Sequence, residues 1–407
     1  MAIQDRIQRP LEGIRVLDLT HVLAGPYCTM LMADNGAEVI KIEPPGVGEL
    51  GRKQITVAKD GRLVAHDEVF LHRNKKAIAL NLRLEKGKDI FRRLVKVSDV
   101  VVENFTPQAM KRLGFGYDAL KEINPRIVYT AISGFGHDDI YRGPYTDRPA
   151  FNPIAQAMSG MMDITGEGGG PPTLVGVPVG DLVPAIFALS GTLMALRMRD
   201  QTGVGQLVDV SMYDCLVSFN QRAVFKHYLT GGIPTRGNQG FGSPLGNFKV
   251  KEGYVTMTIM GDAMWHRFCL MIGKPGLETD ERLTPDRVRG SKYESVIKPI
   301  LEEWAKDKTR AEVVELFLAN DLPAGPVQNA KDIYECPQVN ARNMLVEFDD
   351  PIAGHLVETG NPFKFSGVAE RLPNPAPDIG QDTDAVLQEL LSLSDAELAN
   401  LREEKVI

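Results

Sequence analysis

The residue with the strongest claim to chemistry is Asp181. It sits in the run Val177-Pro178-Val179-Gly180-Asp181-Leu182-Val183-Pro184, which leads into a long apolar stretch. A carboxylate at the head of a helix faces the positive end of the helix dipole, which favours its ionised form. One reading makes Asp181 an N-cap. The other makes it a covalent nucleophile that attacks an acyl group and forms an anhydride. Its apolar neighbours would desolvate it, and Gly180 beside it would let another molecule approach the backbone. His21, in a loop after the first apolar run, is either a packing histidine or a ligand contact. Lys75, Lys76, Arg83 and Arg112 fall near expected strand ends or helix starts. They are solvated charges or, in part, phosphate anchors, since a few charge-assisted contacts hold a phosphate. The glycine-rich residues 237–246, with Gly240 and Gly242, are either a linker or a lid that excludes water.

Other chemistries are excluded by what the 407 residues lack. The four cysteines (Cys28, Cys215, Cys269, Cys336) form no CxxC, and the seven histidines form no HExxH. Neither a disulfide framework nor a metal site is expected, and a reducing, cytoplasmic setting fits. After the first strand the chain reads THVLAGP, without the GxGxxG that brings a dinucleotide pyrophosphate to a helix. GEGGG at 166–170 is followed by no Gly-Lys-Ser/Thr, and no GxSxG occurs. Glu43 reads as a solvated charge at a strand end. A net charge of -7 argues against a nucleic-acid partner. The most apolar run, residues 182–196, is shorter than the ~20 residues of a bilayer span and contains Pro184 and Gly191, so it reads as a buried helix and no membrane partner is expected.

These candidates must be positioned by the surrounding elements. Residues 14–19 (IRVLDL), 37–43, 77–82, 99–103 and 127–132 are apolar, β-rich runs, and helical patterns cover 27–35 and 85–97. Such alternation predicts a doubly wound α/β sheet, with ligands in the loops after the strands. Residues 231–246 read as a loop or lobe boundary. A hairpin (248–250, 254–259) and helices at 262–272, 293–306 and 310–320 follow, so residues 225–328 read as a smaller α+β domain. Residues 1–224 form the large domain, to which 329–407 return with closing helices at 382–391 and 395–404.

The residues also carry a resemblance. The stretch LEGIRVLDLTHVLAGPYCTMLMADNGAEVIKIEPP resembles the opening of the family III CoA-transferases (the CaiB/BaiF family, with formyl-CoA and carnitine CoA-transferases). Similar matches follow at Asn74-Lys75-Lys76, at 100–129 (VVVENFTPQAMKRLGFGYDALKEINPRIVY) and at 154–160. They continue at Gly180-Asp181, at 205–214 (GQLVDVSMYD), at 322–327 (LPAGPV) and at 377–387 (PDIGQDTDAVL). The resemblance implies that Asp181 is the nucleophile. It implies CoA contacts from His21, Val22, Leu23, Ala24, Leu80, Arg83, Asn104, Phe105 and Arg112. It also matches Phe151 and Arg148 to an aromatic residue and a cation near the catalytic loop. It implies a Rossmann-like large domain built from both chain ends, a small domain and an interlocked homodimer. CoA and acyl-CoA enter as substrates, with no permanently bound cofactor. The chain departs from formyl-CoA transferases at Pro44, where they carry arginine, and at Phe241, which interrupts their glycine run.

The reaction so implied moves CoA from a donor such as succinyl-CoA to a small, dicarboxylic acid through mixed anhydrides and an aspartyl-CoA thioester. Arg148, His21 or Arg236 would hold the distal carboxylate. The rivals are an α-methylacyl-CoA racemase and a non-catalytic CoA-binding protein. A racemase needs an acid/base pair at the α-carbon, and its His-Asp pair is replaced here by Phe151-Asn152.

Overall fold

The structure, a computed structural model, describes residues 9–407 other than 54, 59, 138, 235, 238–241 and 352. Its chain divides into two compact units: residues 1–161, 175–220 and 340–407, and residues 162–174 and 221–339.

The first unit is built on six parallel strands: β1 (Arg15–Asp18), β2 (Glu38–Glu43), β3 (Lys76–Ala79), β4 (Val100–Glu103), β5 (Val128–Ser133) and β6 (Leu207–Ser211). Their order is β3-β2-β1-β4-β5-β6. Parallel strands covered on both faces need no polar alternation, and Val100, Val101 and Val102 are all fully buried. The five strands expected from sequence are present, four within one residue of the limits read there and β3 ending three residues earlier, at Ala79. The sixth, LVDVS, is not marked by its sequence pattern, since only its last two residues are buried. Strand order reverses between β1 and β4, which opens a crevice at their carboxyl ends.

Helix α1 (Ala24–Asp34) lies on one face and α2 (Glu85–Lys96) on the other. In α2 the apolar Ile90, Phe91, Leu94 and Val95 fall on one stripe and are buried, while charged residues of both signs take most of the remainder. Helix α3 (Asn152–Met158) precedes α4 (Val179–Thr202), which packs along α1 and β5. The tail brings α5 (Thr383–Leu391) and α6 (Asp395–Glu403) back to this unit. There Asp382 and Thr383 side-chain oxygens accept the Ala77 and Ala79 amides of the edge strand β3 at 2.8 and 2.9 Å. The tail thus covers an edge that would otherwise present unpaired backbone groups.

Helix α4 corrects the expectation of a buried helix. It runs for 24 residues and, among the described residues, is the one helix with the length and apolarity of a bilayer span. One stripe, Pro184, Ala185, Ala188, Leu189, Thr192 and Leu196, is buried. The opposite face leaves Ile186, Phe187, Met194 and Met198 exposed, Met194 by 68%.

The second unit holds an antiparallel sheet, β7 (Leu245–Lys249), β8 (Tyr254–Thr258) and β9 (Ala324–Pro326), in the order β9-β8-β7. Its own core gathers Phe248, Trp265, Phe268, Leu301 and Phe317. The expected hairpin begins earlier than its sequence pattern, because Leu245 and Gly246 already pair with Thr258 and Met257.

Candidate active site

In the first unit the loops that leave β1, β2, β3 and β4 surround a cavity of about 910 Å3. Of the residues expected to meet CoA, His21, Leu80, Arg83 and Phe105 line it. The loop after β1 shows how they are held. The His21 amide donates to the Asn104 side-chain oxygen at 2.8 Å, and the Asn104 side-chain amide donates back to the His21 carbonyl at 2.8 Å. Val22 stands at φ 65°, a left-handed conformation that a β-branched residue enters only when its surroundings compel it. Its amide donates to the Glu49 carboxylate at 2.9 Å. A Cβ on Gly25 would meet the Thr20 side chain at 2.4 Å and that of Asn104 at 3.0 Å, so glycine lets these loops close on one another. Asn104 therefore has its side chain engaged with the loop. Val22, Leu23, Ala24 and Arg112 are not on the cavity wall.

Beneath the loop lies a buried charge network. The Lys75 ammonium donates to Asp18 at 2.9 Å and to the Thr29 hydroxyl at 2.8 Å. Lys41 reaches the Thr20 carbonyl. Burial works to raise the Asp18 pKa, but Lys41, Lys75 and the hydroxyls of Thr20 and Thr29 hold it well below the carboxylate range. Lys75 is thus a structural cation and no phosphate anchor, and Lys76 pairs with Glu38 at 2.7 Å. Burial, then Lys41, lowers the His21 pKa. Its ring is neutral near pH 7 and lies 5.1 Å from that of Phe105, so it supplies no charge for a distal carboxylate.

Glu43 is no solvated strand end. It is buried, and its two oxygens accept Nε and Nη2 of Arg52 at 2.7 Å each. Glu49 accepts the Val22 and Gly51 amides and meets His72 Nε2 at 3.2 Å. Burial would raise its pKa, but the His72 hydrogen bond, Lys41 and the two amides bring it down to about 2. On the other side, burial pushes Glu103 up to about 8. It accepts the Phe105 amide at 2.7 Å and the Tyr129 hydroxyl at 3.2 Å, which fixes Phe105 over the cavity. Sequence reasoning passed over Glu49, Arg52 and Glu103. The cluster of charges among the glycines and prolines after β2 was the available signal.

Asp181 lies elsewhere in this unit, off the cavity wall. The N-cap of α4 is Pro178, and Asp181 falls in the first turn. The cap reading is thereby corrected. The part-buried carboxyl makes no side-chain hydrogen bond or ion pair among the described residues, and burial alone pushes it up to about 6. The close approach that Gly180 permits is made by the chain itself. The Gly180 amide donates to the Asn152 side-chain oxygen at 2.9 Å, and a Cβ there would lie 2.7 Å from the Asn152 carbonyl oxygen. Gln156, fully buried, donates to the same Asn152 oxygen at 2.7 Å and accepts the Val175 amide at 3.0 Å. This clamp brings the segment that carries Phe151 and Arg148 beside the head of α4. Phe151 is exposed by 67%. The Arg148 guanidinium lies 4.0 Å from the centroid of the Tyr145 ring and has no carboxylate partner among the described residues.

In the second unit Arg236 is already committed. It donates to the Asp163 carbonyl and carboxylate at 2.8 and 3.1 Å, and to the Gly170 carbonyl. Gly240 lies outside the described residues. Gly242, at φ 80°, accepts the Gly290 amide at 2.8 Å, and a Cβ would meet the Arg287 backbone at 2.9 Å. Gly242 is a packed position, not a free hinge.

A Rossmann-type strand order without the dinucleotide fingerprint, together with an unpartnered aspartate at a helix head, narrows the comparison with known proteins. The model of CoA-transferase family III matches residues 11–383. The chain belongs to CoA-transferase family III. It is 38% identical to the succinyl-CoA:mesaconate CoA-transferase of Haloarcula marismortui, over 90% of this chain and 91% of that one. It is 36% identical to the formyl-CoA:oxalate CoA-transferase of Streptomyces coelicolor, over 98% and 99%. A CaiB/BaiF family protein from Brucella suis has the same fold, with a TM-score of 0.81 and 30% identity over 94% of this chain and all of that one. This CoA-transferase therefore carries its family's fold, with the crevice of the first unit at the carboxyl ends of the strands.

Proposed function

We propose that this CoA-transferase moves CoA from an acyl-CoA donor, such as succinyl-CoA, to a small dicarboxylic acid, with Asp181 as nucleophile. The observation that carries the reading is the state of Asp181. A carboxylate held in the first turn of α4, part-buried, without a partner among the described residues, and pushed up to about 6, is ionised near pH 7 but poorly stabilised. The cavity between the β1 to β4 loops takes the nucleotide end of CoA, with Leu80, Arg83 and Phe105 on its wall.

The steps balance without a net proton. Asp181 attacks the thioester carbonyl, the C–S bond breaks, and a mixed anhydride and CoA thiolate form. The thiolate attacks the aspartyl carbonyl, releases the donor as its carboxylate and leaves an aspartyl-CoA thioester. The acceptor carboxylate attacks this thioester, giving a second anhydride and the thiolate. Attack of the thiolate on the acceptor carbonyl forms the new acyl-CoA and restores the Asp181 carboxylate. A site shielded from water suits such anhydrides.

Three further observations support the acceptor class and the assembly. The relatives named above act on mesaconate and oxalate, both dicarboxylates. Arg148, with no carboxylate partner among the described residues and beside the Asn152 clamp, is the cation that would receive the distal carboxylate. The exposed apolar face of α4 supports a homodimer in which a second copy covers it.

Transfer from succinyl-CoA to a panel of mono- and dicarboxylates tests the reading. The expected result is transfer to dicarboxylates, with Arg148→Ala raising KM for the acceptor about tenfold, the worth of one charge-assisted contact, and leaving KM for succinyl-CoA unchanged. Equal use of monocarboxylates, or no effect of the substitution, would contradict the acceptor assignment.

A further inference from the structure

The end of α6 and the residues after it carry two cations to the wall of the large cavity. Arg402 and Lys405 line it together with Arg83. The acids on the same wall are already satisfied: Glu43 by Arg52, and Glu49 by two amides and His72. The turn after β2 contributes Pro44, Pro45, Gly46, Val47 and Gly48, with no cation among them. Arg402 shares its guanidinium with Asp384. Arg83 and Lys405 are exposed and have no ion-pair partner among the described residues. The side-chain charge left unbalanced on this wall is positive.

The backbone holds Lys405 there in a particular way. Helix α6 ends with the Lys405 amide donating to the Arg402 carbonyl at 2.9 Å and the Val406 amide donating to the Leu401 carbonyl at 2.8 Å. This double stop puts one residue in the left-handed region, where glycine is the favoured occupant. Here that residue is Lys405, at φ 58°. Val406 beyond it is buried, and its carbonyl accepts the Asn81 amide at 2.8 Å. That bond ties the tail to the loop of Arg83, so the two unpaired cations are held on neighbouring segments. A glycine would relieve the backbone at residue 405. What lysine adds is a charge at the cavity.

We propose that Lys405, with Arg83 on the neighbouring segment, binds the 3′-phosphate of CoA and makes this chain select 3′-phosphorylated CoA thioesters over their 3′-dephospho counterparts. The inference rests on the assignment of this cavity to CoA. A phosphate monoester carries close to two negative charges near pH 7 and three acceptor oxygens, which suits converging lysine and arginine donors. The remainder of CoA would bind equally well without them.

The test compares Kd for CoA and 3′-dephospho-CoA by calorimetry, and KM for the two succinyl thioesters, in wild type, Lys405→Gly and Lys405→Arg. Glycine suits the left-handed position, so the first variant removes the charge without straining the fold, and its melting temperature should be unchanged or higher. The expected result is wild-type preference for CoA, a loss of about tenfold in CoA affinity with Lys405→Gly, no change for 3′-dephospho-CoA, and retention of the preference with Lys405→Arg. A wild type that binds both ligands equally, or a Lys405→Gly variant that weakens both or neither, would overturn the role of Lys405 alone. A wild type that binds neither ligand would strike the assignment of the cavity itself.

Discussion

Glu49 and Asp181 are carboxylates of one unit held in opposite ways. Glu49 is surrounded: two backbone amides, His72 and the field of Lys41 bring it down to about 2. Asp181 has no side-chain partner among the described residues, and burial pushes it up to about 6. A carboxylate engaged on both oxygens is a fastener, and Glu49 fastens Val22 in a conformation the residue would not otherwise adopt. A carboxylate with no partner keeps its lone pairs for another molecule. The contrast separates the part of the protein that shapes a binding cavity from the part that reacts.

The comparison can be broken at several points. The largest effect is expected from Asp181→Ala, which should lower kcat by at least about a thousandfold, as for loss of a covalent nucleophile. Its melting temperature should not fall, because no partner is lost and a desolvated charge is removed. A variant that kept a tenth of wild-type kcat would remove Asp181 from the nucleophile's role.

The pH profile comes next. A carboxyl raised to about 6 takes up a proton as pH falls through that value, and the protonated acid is no nucleophile. The rate constant kcat/KM for the acyl-CoA should therefore fall about tenfold per unit below pH 6. Glu49 titrates near 2 and contributes nothing to that limb. The signs for stability differ as well. The pKa of Glu49 is lowered on folding, so its contribution is present above the ordinary glutamate value of 4.5 and lost as pH falls toward 2. A profile flat to pH 4.5 would contradict the environment assigned to Asp181.

A smaller effect is expected from Glu49→Ala. It frees the Val22 and Gly51 amides and leaves His72 without its acceptor. KM for acyl-CoA should rise by about threefold to tenfold and the melting temperature should drop by a few degrees, with kcat at saturation within about twofold of wild type. A large fall in kcat with unchanged KM would place Glu49 in the chemistry and erase the contrast.

Much of this arrangement was legible in the residues. The β-rich apolar runs marked five of the six sheet strands, because buried parallel strands need no alternation. The run into Asp181 marked a helix head. The roles of charged residues were less legible. Glu43 read as a solvated charge and Lys75 as a solvated charge or a phosphate anchor, yet each is buried against a partner that only the fold supplies, Arg52 nine residues on and Asp18 fifty-seven residues back. Asn104 looked like a ligand contact and holds the His21 backbone instead. Arg236 looked free and is bound to Asp163. The apolar face of α4 was invisible because sequence reports apolarity, not which side of a helix meets a neighbour.

The most direct measurement is the intact mass of the protein after incubation with succinyl-CoA, followed by hydroxylamine trapping and peptide mapping, with Asp181→Ala alongside. The account predicts a CoA-sized adduct on the wild type, converted by hydroxylamine to a hydroxamate at Asp181 and absent from the variant. A protein that turns over succinyl-CoA yet carries no adduct, or carries one on another residue, would contradict Asp181 as the covalent nucleophile.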